Sequence, residues 1–169
     1  MTKKNSSPRP LRVGLISLGC AKNLVDAEIM LGSLLKGGVE ITNDASQADA
    51  LIVNTCSFID SAQEESVDTI LESVELREAN HRGQAVIVSG CLSQRFRDEL
   101  PRLMPEVDAF MGIDQVAQVG EIVQRAMQNR AERISNGLSK AQLAAPKQSE
   151  GGSPKSKAQS PKLSHNWRN

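Results

Sequence analysis

From residue 11 onward, short apolar runs rich in Val and Ile alternate with longer segments in which apolar residues recur every three or four positions. Short β-branched runs bounded by turn residues are typical of buried strands, and the longer spacing is typical of amphipathic helices. Strands are predicted at residues 11–17, 39–42, 50–54, 85–89 and 107–111. The alternation predicts an α/β fold with a doubly wound, mostly parallel five-stranded sheet in the flavodoxin-like order 2-1-3-4-5.

The intervening segments predict helices at residues 25–36, 61–79, 94–100 and 118–130. The apolar face expected for the first helix consists of Val25, Ile29, Met30 and Leu34. Ser61 and Glu64 fit a capping box at the start of the second helix. Pro101 is expected to end the third helix, because proline lacks the N–H group that a helix interior needs.

The chain has three cysteines, and each follows one of the predicted strands: Cys20, Cys56 and Cys91. Their strands are the first, third and fourth along the chain, which are immediate neighbours in the 2-1-3-4-5 order. Adjacent strands lie ~4.8 Å apart, so we expect the three sulfurs within about 10 Å of one another. Open α/β sheets bind their ligands at the carboxyl ends of the strands. We call this edge of the sheet the cysteine edge.

Thiolates are the ligands preferred by zinc, copper(I) and iron–sulfur clusters. Structural zinc usually draws its ligands from Cys-x-x-Cys pairs, which this sequence lacks. His81 is expected at the opposite edge of the sheet and His165 near the C-terminus, so neither is a suitable fourth ligand. A four-iron cluster takes one thiolate per iron, and three cysteines would leave one iron open to an exogenous sulfur or small anion. The spacing predicts metal or cluster binding and leaves the choice open.

Other residues around the cysteines fit either a role at the site or an ordinary role in turns and caps. Amide and hydroxyl side chains can donate hydrogen bonds to cluster sulfurs, and they equally often cap helices and close turns. Glycine permits close backbone approach or a positive φ. These neighbours are Gly19, Asn23, Asp26, Asn54, Thr55, Ser89 and Gly90. The sequence contains no Gly-x-Gly-x-x-Gly or Walker pattern, so a nucleotide site of those kinds is not expected.

Composition and charge exclude several classes of function. Lys and Arg number 20, as do Asp and Glu, so no overall field favours nucleic acid or a membrane surface. No stretch approaches the ~20 apolar residues of a membrane span, and no apolar segment follows the basic N-terminus as in a secretory signal. An odd number of widely spaced cysteines favours free or metal-bound thiols in the reducing cytoplasm over a disulfide framework.

The ends of the chain differ in composition from its middle. Residues 1–10 are predicted to be a flexible N-terminus, and residues 11–130 the folded domain. Residues 131–169 are predicted to be a low-complexity, disordered tail, because a segment rich in Pro, Ser, Gly, Lys and Gln cannot bury enough apolar area to offset its entropy.

Three motifs resemble the N-terminal domain of radical-SAM methylthiotransferases. They are L-G-C-A-K-N-L-V-D-A-E at 18–28, V-N-T-C-S-F-I-D-S-A at 53–62 and V-S-G-C-L at 88–92, within a resemblance that covers about residues 11–127. The first motif is closer to the branch that modifies a ribosomal protein than to the branch that modifies tRNA. The resemblance implies that Cys20, Cys56 and Cys91 hold an auxiliary [4Fe-4S] cluster. It also implies methylthiolation of an aspartate in a small-subunit ribosomal protein.

The sequence departs from that family after its first domain. The family cleaves S-adenosylmethionine at a second cluster held by Cys-x-x-x-Cys-x-x-Cys, whereas no cysteine follows Cys91 here. We therefore expect a truncated or frame-disrupted member that binds the auxiliary cluster but is inactive alone. The alternatives are a non-catalytic iron–sulfur or metal-binding module, a fragment of a tRNA-adenosine methylthiotransferase, and a remnant that binds no cluster.

Overall fold

The computed structural model describes residues 9–137. Parallel strands form a single sheet in the order β2-β1-β3-β4-β5, which confirms the predicted flavodoxin-like arrangement. The strands are β1 (Arg12–Ser17), β2 (Glu40–Thr42), β3 (Ala50–Thr55), β4 (Ala85–Gly90) and β5 (Ala109–Phe110). The helices are α1 (Ala21–Lys36), α2 (Asp60–Asn80), α3 (Cys91–Arg95), α4 (Leu100–Leu103) and α5 (Val119–Ser135). Short 3-10 turns occupy Ala45–Gln47 and Ile113–Gln118.

A separate hydrophobic core lies on each face of the sheet. On one face α1 and α5 pack against alternate residues of the central strands, including Ile52 and Ile87. On the other face α2, α3 and α4 cover the residues between them, including Val53 and Val88. Successive residues of β3 and β4 are therefore all buried, as the continuous apolar runs of their sequences predict.

The buried face of α1 differs from the predicted one. Val25 and Ile29 are 53% and 45% exposed, so the expectation that they pack in the core was wrong. The buried row is instead Asn23, Ala27, Met30 and Leu34. This row has the same helical spacing, but it includes a polar residue whose side chain hydrogen-bonds the loops beside it. Apolar periodicity alone therefore selected the wrong face at the first turns of the helix.

Two predicted helix boundaries also need correction. The capping box at Ser61 does not form, because α2 begins one residue earlier, at Asp60. Ile59 is the N-cap residue, and its carbonyl accepts the first helical hydrogen bond, from the N–H of Gln63. Pro101 lies in the first turn of α4 and does not end a helix. Proline is tolerated there because the first-turn N–H groups have no partner within the helix.

The last helix runs to Ser135, five residues past the predicted end at 130. Its buried face consists of Val119, Ile122, Val123, Ala126 and Arg130. The predicted flexible segment 1–10 lies outside the described residues except for its last two positions. Of the predicted tail, the part after Gly137 also lies outside them.

Candidate functional site at the cysteine edge

Strands β1, β3 and β4 end in register at the same edge of the sheet. Ser17 pairs with Asn54 and Asn54 pairs with Ser89, and one position further on Thr55 pairs with Gly90. The three cysteines follow these ends, with Cys20 directly before α1, Cys56 in the loop before α2 and Cys91 as the first residue of α3. The structure thus brings the three predicted site residues to one edge.

All three cysteines are free thiols, and they differ in burial. Cys56 is buried, Cys91 is intermediate and Cys20 is exposed. Gly19, directly before Cys20, lies close to Cys56, since a Cβ on Gly19 would be 2.7 Å from Sγ of Cys56. Sγ of Cys91 lies 3.7 Å from Oδ1 of Asn23, three positions after Cys20. The residues that carry the three thiols thus approach one another closely.

Local hydrogen bonds and charges separate the ionisation of these thiols. The backbone N–H of Asn23, and then that of Lys22, lower the pKa of Cys20, because these N–H groups are unpaired at the start of α1. Burial raises the pKa of Cys91, and the ammonium group of Lys22 opposes this effect. Lys22 itself forms an ion pair of 2.9 Å with Asp26, which explains the predicted neighbour Asp26 as a helix-surface partner.

Gly19 and Gly90 allow the backbone to bend tightly beside the cysteines. Both have φ of +97°, in the region that favours glycine. A Cβ on Gly19 would lie 2.5 Å from the Cβ of Cys56, and one on Gly90 would lie 2.7 Å from Oδ1 of Asn54. Both positions therefore require glycine for space as well as for conformation.

Asn23 is fully buried and contacts all three cysteine-bearing loops. Its Nδ2 donates to the carbonyl of Leu18 at 2.7 Å and to the carbonyl of Thr55 at 2.7 Å. Its Oδ1 lies 3.7 Å from Sγ of Cys91. The backbone carbonyl of Asn23 accepts a hydrogen bond of 2.8 Å from Nδ2 of Asn54.

The loop that carries Cys56 is held from α2. The hydroxyl of Ser66 accepts from the N–H of Cys56 and donates to its carbonyl, both at 3.0 Å. Nε2 of Gln63 and Nη1 of Arg95 both donate to the carbonyl of Ser57. Sequence reasoning missed Gln63, Ser66 and Arg95. The available signal was the spacing of Gln63 and Ser66, which places both on the same face of the helix as the buried Val67 and Ile70.

The remaining predicted neighbours hydrogen-bond within the protein. Thr55 Oγ1 donates to the carbonyl of Ser89, and Ser89 Oγ lies 3.8 Å from Sδ of Met30. Two buried acceptor atoms at this edge, Oδ1 of Asn54 and Oε1 of Gln63, have no hydrogen-bond partner. The surroundings of the thiols are thus mainly neutral hydroxyl and amide groups with some unused hydrogen-bonding capacity.

Within residues 9–137, no group of three or more His, Cys, Asp or Glu residues is placed to hold a single metal ion. A four-iron cluster makes a different demand, because each thiolate binds its own iron and the ligands need not converge on one atom. Three soft thiol donors on adjacent loops, without competing carboxylates among their direct hydrogen-bond partners, fit such a cluster.

Comparison with known proteins places this domain in a family. The model described as "Uncharacterized protein family UPF0004" matches residues 12–112, more than half of the 169-residue chain. The chain belongs to the UPF0004 family. The matched segment of this UPF0004 domain begins with β1, extends just beyond β5 and contains all three cysteines.

Curated relatives of the UPF0004 domain carry the name "Ribosomal protein uS12 methylthiotransferase RimO". The protein from Akkermansia muciniphila is 57% identical over 120 residues, which are 70% of this chain and 26% of that protein. The one from Symbiobacterium thermophilum is 49% identical over 76% of this chain and 26% of its own length. The one from Syntrophotalea carbinolica is 45% identical over 80% of this chain and 30% of its own length.

These matches confirm the resemblance to methylthiotransferases and to their ribosomal-protein branch. The chain spans 26% to 30% of the length of these relatives. No helix of the UPF0004 domain, as far as the structure describes it, is long and apolar enough to cross a membrane.

Proposed function

We propose that the cysteine edge binds a [4Fe-4S] cluster through Cys20, Cys56 and Cys91, as the auxiliary-cluster domain of a methylthiotransferase that modifies ribosomal protein uS12. One observation supports this most directly. Three free thiols from adjacent parallel strands lie at one edge, in a chain whose relatives are named as methylthiotransferases of that protein.

The proposed ligands would each bind one iron and leave the fourth without a thiolate from this edge. When bound, such a cluster supplies an iron that can take an exogenous sulfur. The chain's own residues prepare the edge for it. The N–H groups of Asn23 and Lys22 lower the pKa of Cys20, and the Lys22 ammonium counteracts part of the effect of burial, which raises the pKa of Cys91. Buried amides and hydroxyls hold the three loops in place.

The proposed reaction attaches a methylthio group to an aspartate of uS12, in the cytoplasm where ribosomal proteins are found. It uses S-adenosylmethionine and a second cluster. We expect both to bind in the part of the relatives that lies beyond the matched segment. The 169 residues hold no Cys-x-x-x-Cys-x-x-Cys motif, so we expect no cleavage of S-adenosylmethionine by this chain alone.

Anaerobic reconstitution with iron and sulfide tests the cluster assignment. We expect about four iron atoms per chain, with cluster content largely lost in Cys20→Ala, Cys56→Ala and Cys91→Ala. Iron well below four per chain, unchanged by Cys56→Ala, would contradict it.

A second experiment tests the catalytic assignment. The chain reconstituted with its cluster is mixed with a radical-SAM domain of a related enzyme, S-adenosylmethionine, a reductant, sulfide as the source of sulfur, and uS12, and the mass of uS12 is measured. We expect a methylthio adduct that Cys56→Ala abolishes. Cluster binding without any adduct would favour the non-catalytic iron–sulfur module instead.

A further inference from the structure

We propose that Asn23 is the positioning residue of the cysteine edge, whose single carboxamide fixes the relative placement of all three cysteine loops. Only the expected effect of Asn23 on a bound cluster rests on the proposed function. The placement of the thiols is a property of the protein itself and can be measured without any metal.

The carboxamide extends the link between two loops beyond the last backbone hydrogen bond of their strands, in which the N–H of Leu18 donates to the carbonyl of Asn54 at 2.9 Å. Its Nδ2 uses both protons on backbone carbonyls, that of Leu18 before Cys20 and that of Thr55 before Cys56, each at 2.7 Å. A carbonyl only accepts hydrogen bonds, so these contacts require an NH₂ group with two donors. Each donor proton of the amide thus holds a different cysteine loop.

The third loop is reached by the other end of the same group. Oδ1 of Asn23 lies 3.7 Å from Sγ of Cys91, within the range of a hydrogen bond to sulfur. The backbone of Asn23 adds one further contact, since its carbonyl accepts a hydrogen bond of 2.8 Å from Nδ2 of Asn54, the residue before Thr55.

Burial makes these contacts decisive. Asn23 is 0% exposed, so water cannot replace a lost partner, and the two carbonyls would be left without donors. Both amide protons are already donated to backbone carbonyls, so Asn23 has no donor left for a cluster sulfur and acts on the site through the loops. It therefore differs from a surface helix residue that merely follows a cysteine.

The chain supplies a matched control at the opposite edge of the sheet. Gln84 is also buried, and its Nε2 donates to two backbone carbonyls, those of Ala45 and Ala48, at 2.6 and 2.9 Å. Asn23→Asp and Gln84→Glu each replace a two-carbonyl donor by a nearly isosteric carboxylate. The two variants should lose comparable free energy of unfolding. A difference between them in thiol reactivity therefore reflects the location of Asn23 beside the cysteines.

The experiment treats the reduced, metal-free full chain with dibromobimane, which becomes fluorescent when it bridges two nearby thiols. It is done under conditions where circular dichroism shows both variants folded, and peptide mapping identifies the bridged pair. We expect bridging of Cys20 to Cys56 to slow about tenfold in Asn23→Asp and to stay near the wild-type rate in Gln84→Glu. Equal rates in the two variants would overturn the proposal.

A second measurement applies to the reconstituted protein. We expect Asn23→Asp to shift the electron paramagnetic resonance spectrum and midpoint potential of the bound cluster, with Gln84→Glu unchanged in both. A normal spectrum and potential in Asn23→Asp would overturn the positioning role while leaving the proposed function intact. Absence of a cluster in the wild type would instead overturn the proposed function, and the bridging rates would still decide the role of Asn23.

Discussion

Gly19 packs directly against the side chain of Cys56, so that no side chain fits at position 19. A Cβ on Gly19 would lie 2.5 Å from Cβ and 2.7 Å from Sγ of Cys56, and the φ of +97° is itself strained for other residues. We expect Gly19→Ala to displace the buried thiol and to increase its alkylation rate by about tenfold or more, because the displaced side chain loses its protected position. The rate is measured with iodoacetamide and peptide mapping.

Gly38→Ala is the matched control for this substitution. Gly38 also has a positive φ, of +78°, but an added Cβ would meet no heavy atom within 4 Å. The positive φ destabilises both variants by about 1–2 kcal/mol. Only Gly19→Ala adds a steric clash with the side chain of Cys56. Equal Cys56 alkylation rates in the two variants would show that the contact is unimportant.

The hydroxyl of Ser66 is expected to stabilise the fold, because it bonds both backbone groups of the buried Cys56. Ser66→Ala removes the partner of both backbone groups of Cys56 and leaves them buried, at a cost of about 1–3 kcal/mol in the free energy of unfolding. Ser73, on the same helix, bonds only the carbonyl of Thr69 within its own turn. Urea denaturation should therefore show a clearly smaller loss for Ser73→Ala, and a similar loss in both would contradict the role assigned to Ser66.

A buried ion pair stabilises the opposite edge of the sheet. Nη1 of Arg77 lies 2.8 Å from Oδ2 of Asp108, with the side chains 1% and 0% exposed. Burial lowers the pKa of Arg77 and raises that of Asp108, so each charge depends on its partner. We expect Arg77→Met to cost about 3 kcal/mol, because it leaves a buried carboxylate with weaker support from Arg133.

The exposed pair of Arg97 and Asp114 provides the comparison for that measurement. It has a similar distance, 2.9 Å, but both side chains are about half exposed. Arg97→Met should change the free energy of unfolding by less than about 1 kcal/mol. Equal losses for Arg77→Met and Arg97→Met in urea would contradict the importance given to burial.

Glu78 should make stability depend on pH in the acidic range. Burial alone would raise its pKa, but the hydrogen bond and charge of Arg130, with those of Arg77, hold the pKa below its ordinary value. A depressed carboxyl pKa stabilises the fold above the unfolded value of about 4.3, and this contribution is lost as the pH falls through the folded-state pKa. The stability difference between wild type and Glu78→Gln should thus be largest near neutral pH and shrink on acidification. A difference independent of pH would contradict this.

The two faces of α1 give a direct test of the corrected packing. Ile29 is 45% exposed and Met30 is fully buried, although both are apolar and adjacent. Met30→Ala should lower the free energy of unfolding by about 2–5 kcal/mol, and Ile29→Ala should lower it by less than about 1 kcal/mol. Thermal or urea denaturation decides between this packing and the one expected from periodicity.

The sheet and the placement of the cysteines could be predicted from the sequence, because both follow from short-range patterns. Continuous apolar runs such as 85–89 identify buried parallel strands, and the strand order then determines which loops are neighbours. On α2, the buried residues Val67, Ile70 and Val74 follow the same helical spacing. These features depend on periodicity and on a common topology.

The details of the site depend on pairings between residues distant in sequence, which a single sequence does not reveal. Asn23 is buried because it bonds the carbonyl of Thr55, 32 positions away, and its polarity disguised the buried face of α1. Ser66 was indistinguishable from an ordinary helix-surface serine until the Cys56 loop was seen to pack on it. Pro101 was misread because the chain turns before it and starts a new helix.

Each of the three cysteines is linked to a different helix. Cys20 and Cys91 lie at the starts of α1 and α3, whereas Cys56 is bound through both of its backbone groups to Ser66 of α2. Asn23 of α1 also bonds the carbonyl of Thr55, directly before Cys56, and Arg95 of α3 bonds that of Ser57, directly after it. The buried thiol is thus anchored to all three helices, so a movement of any one of them would be transmitted to Cys56.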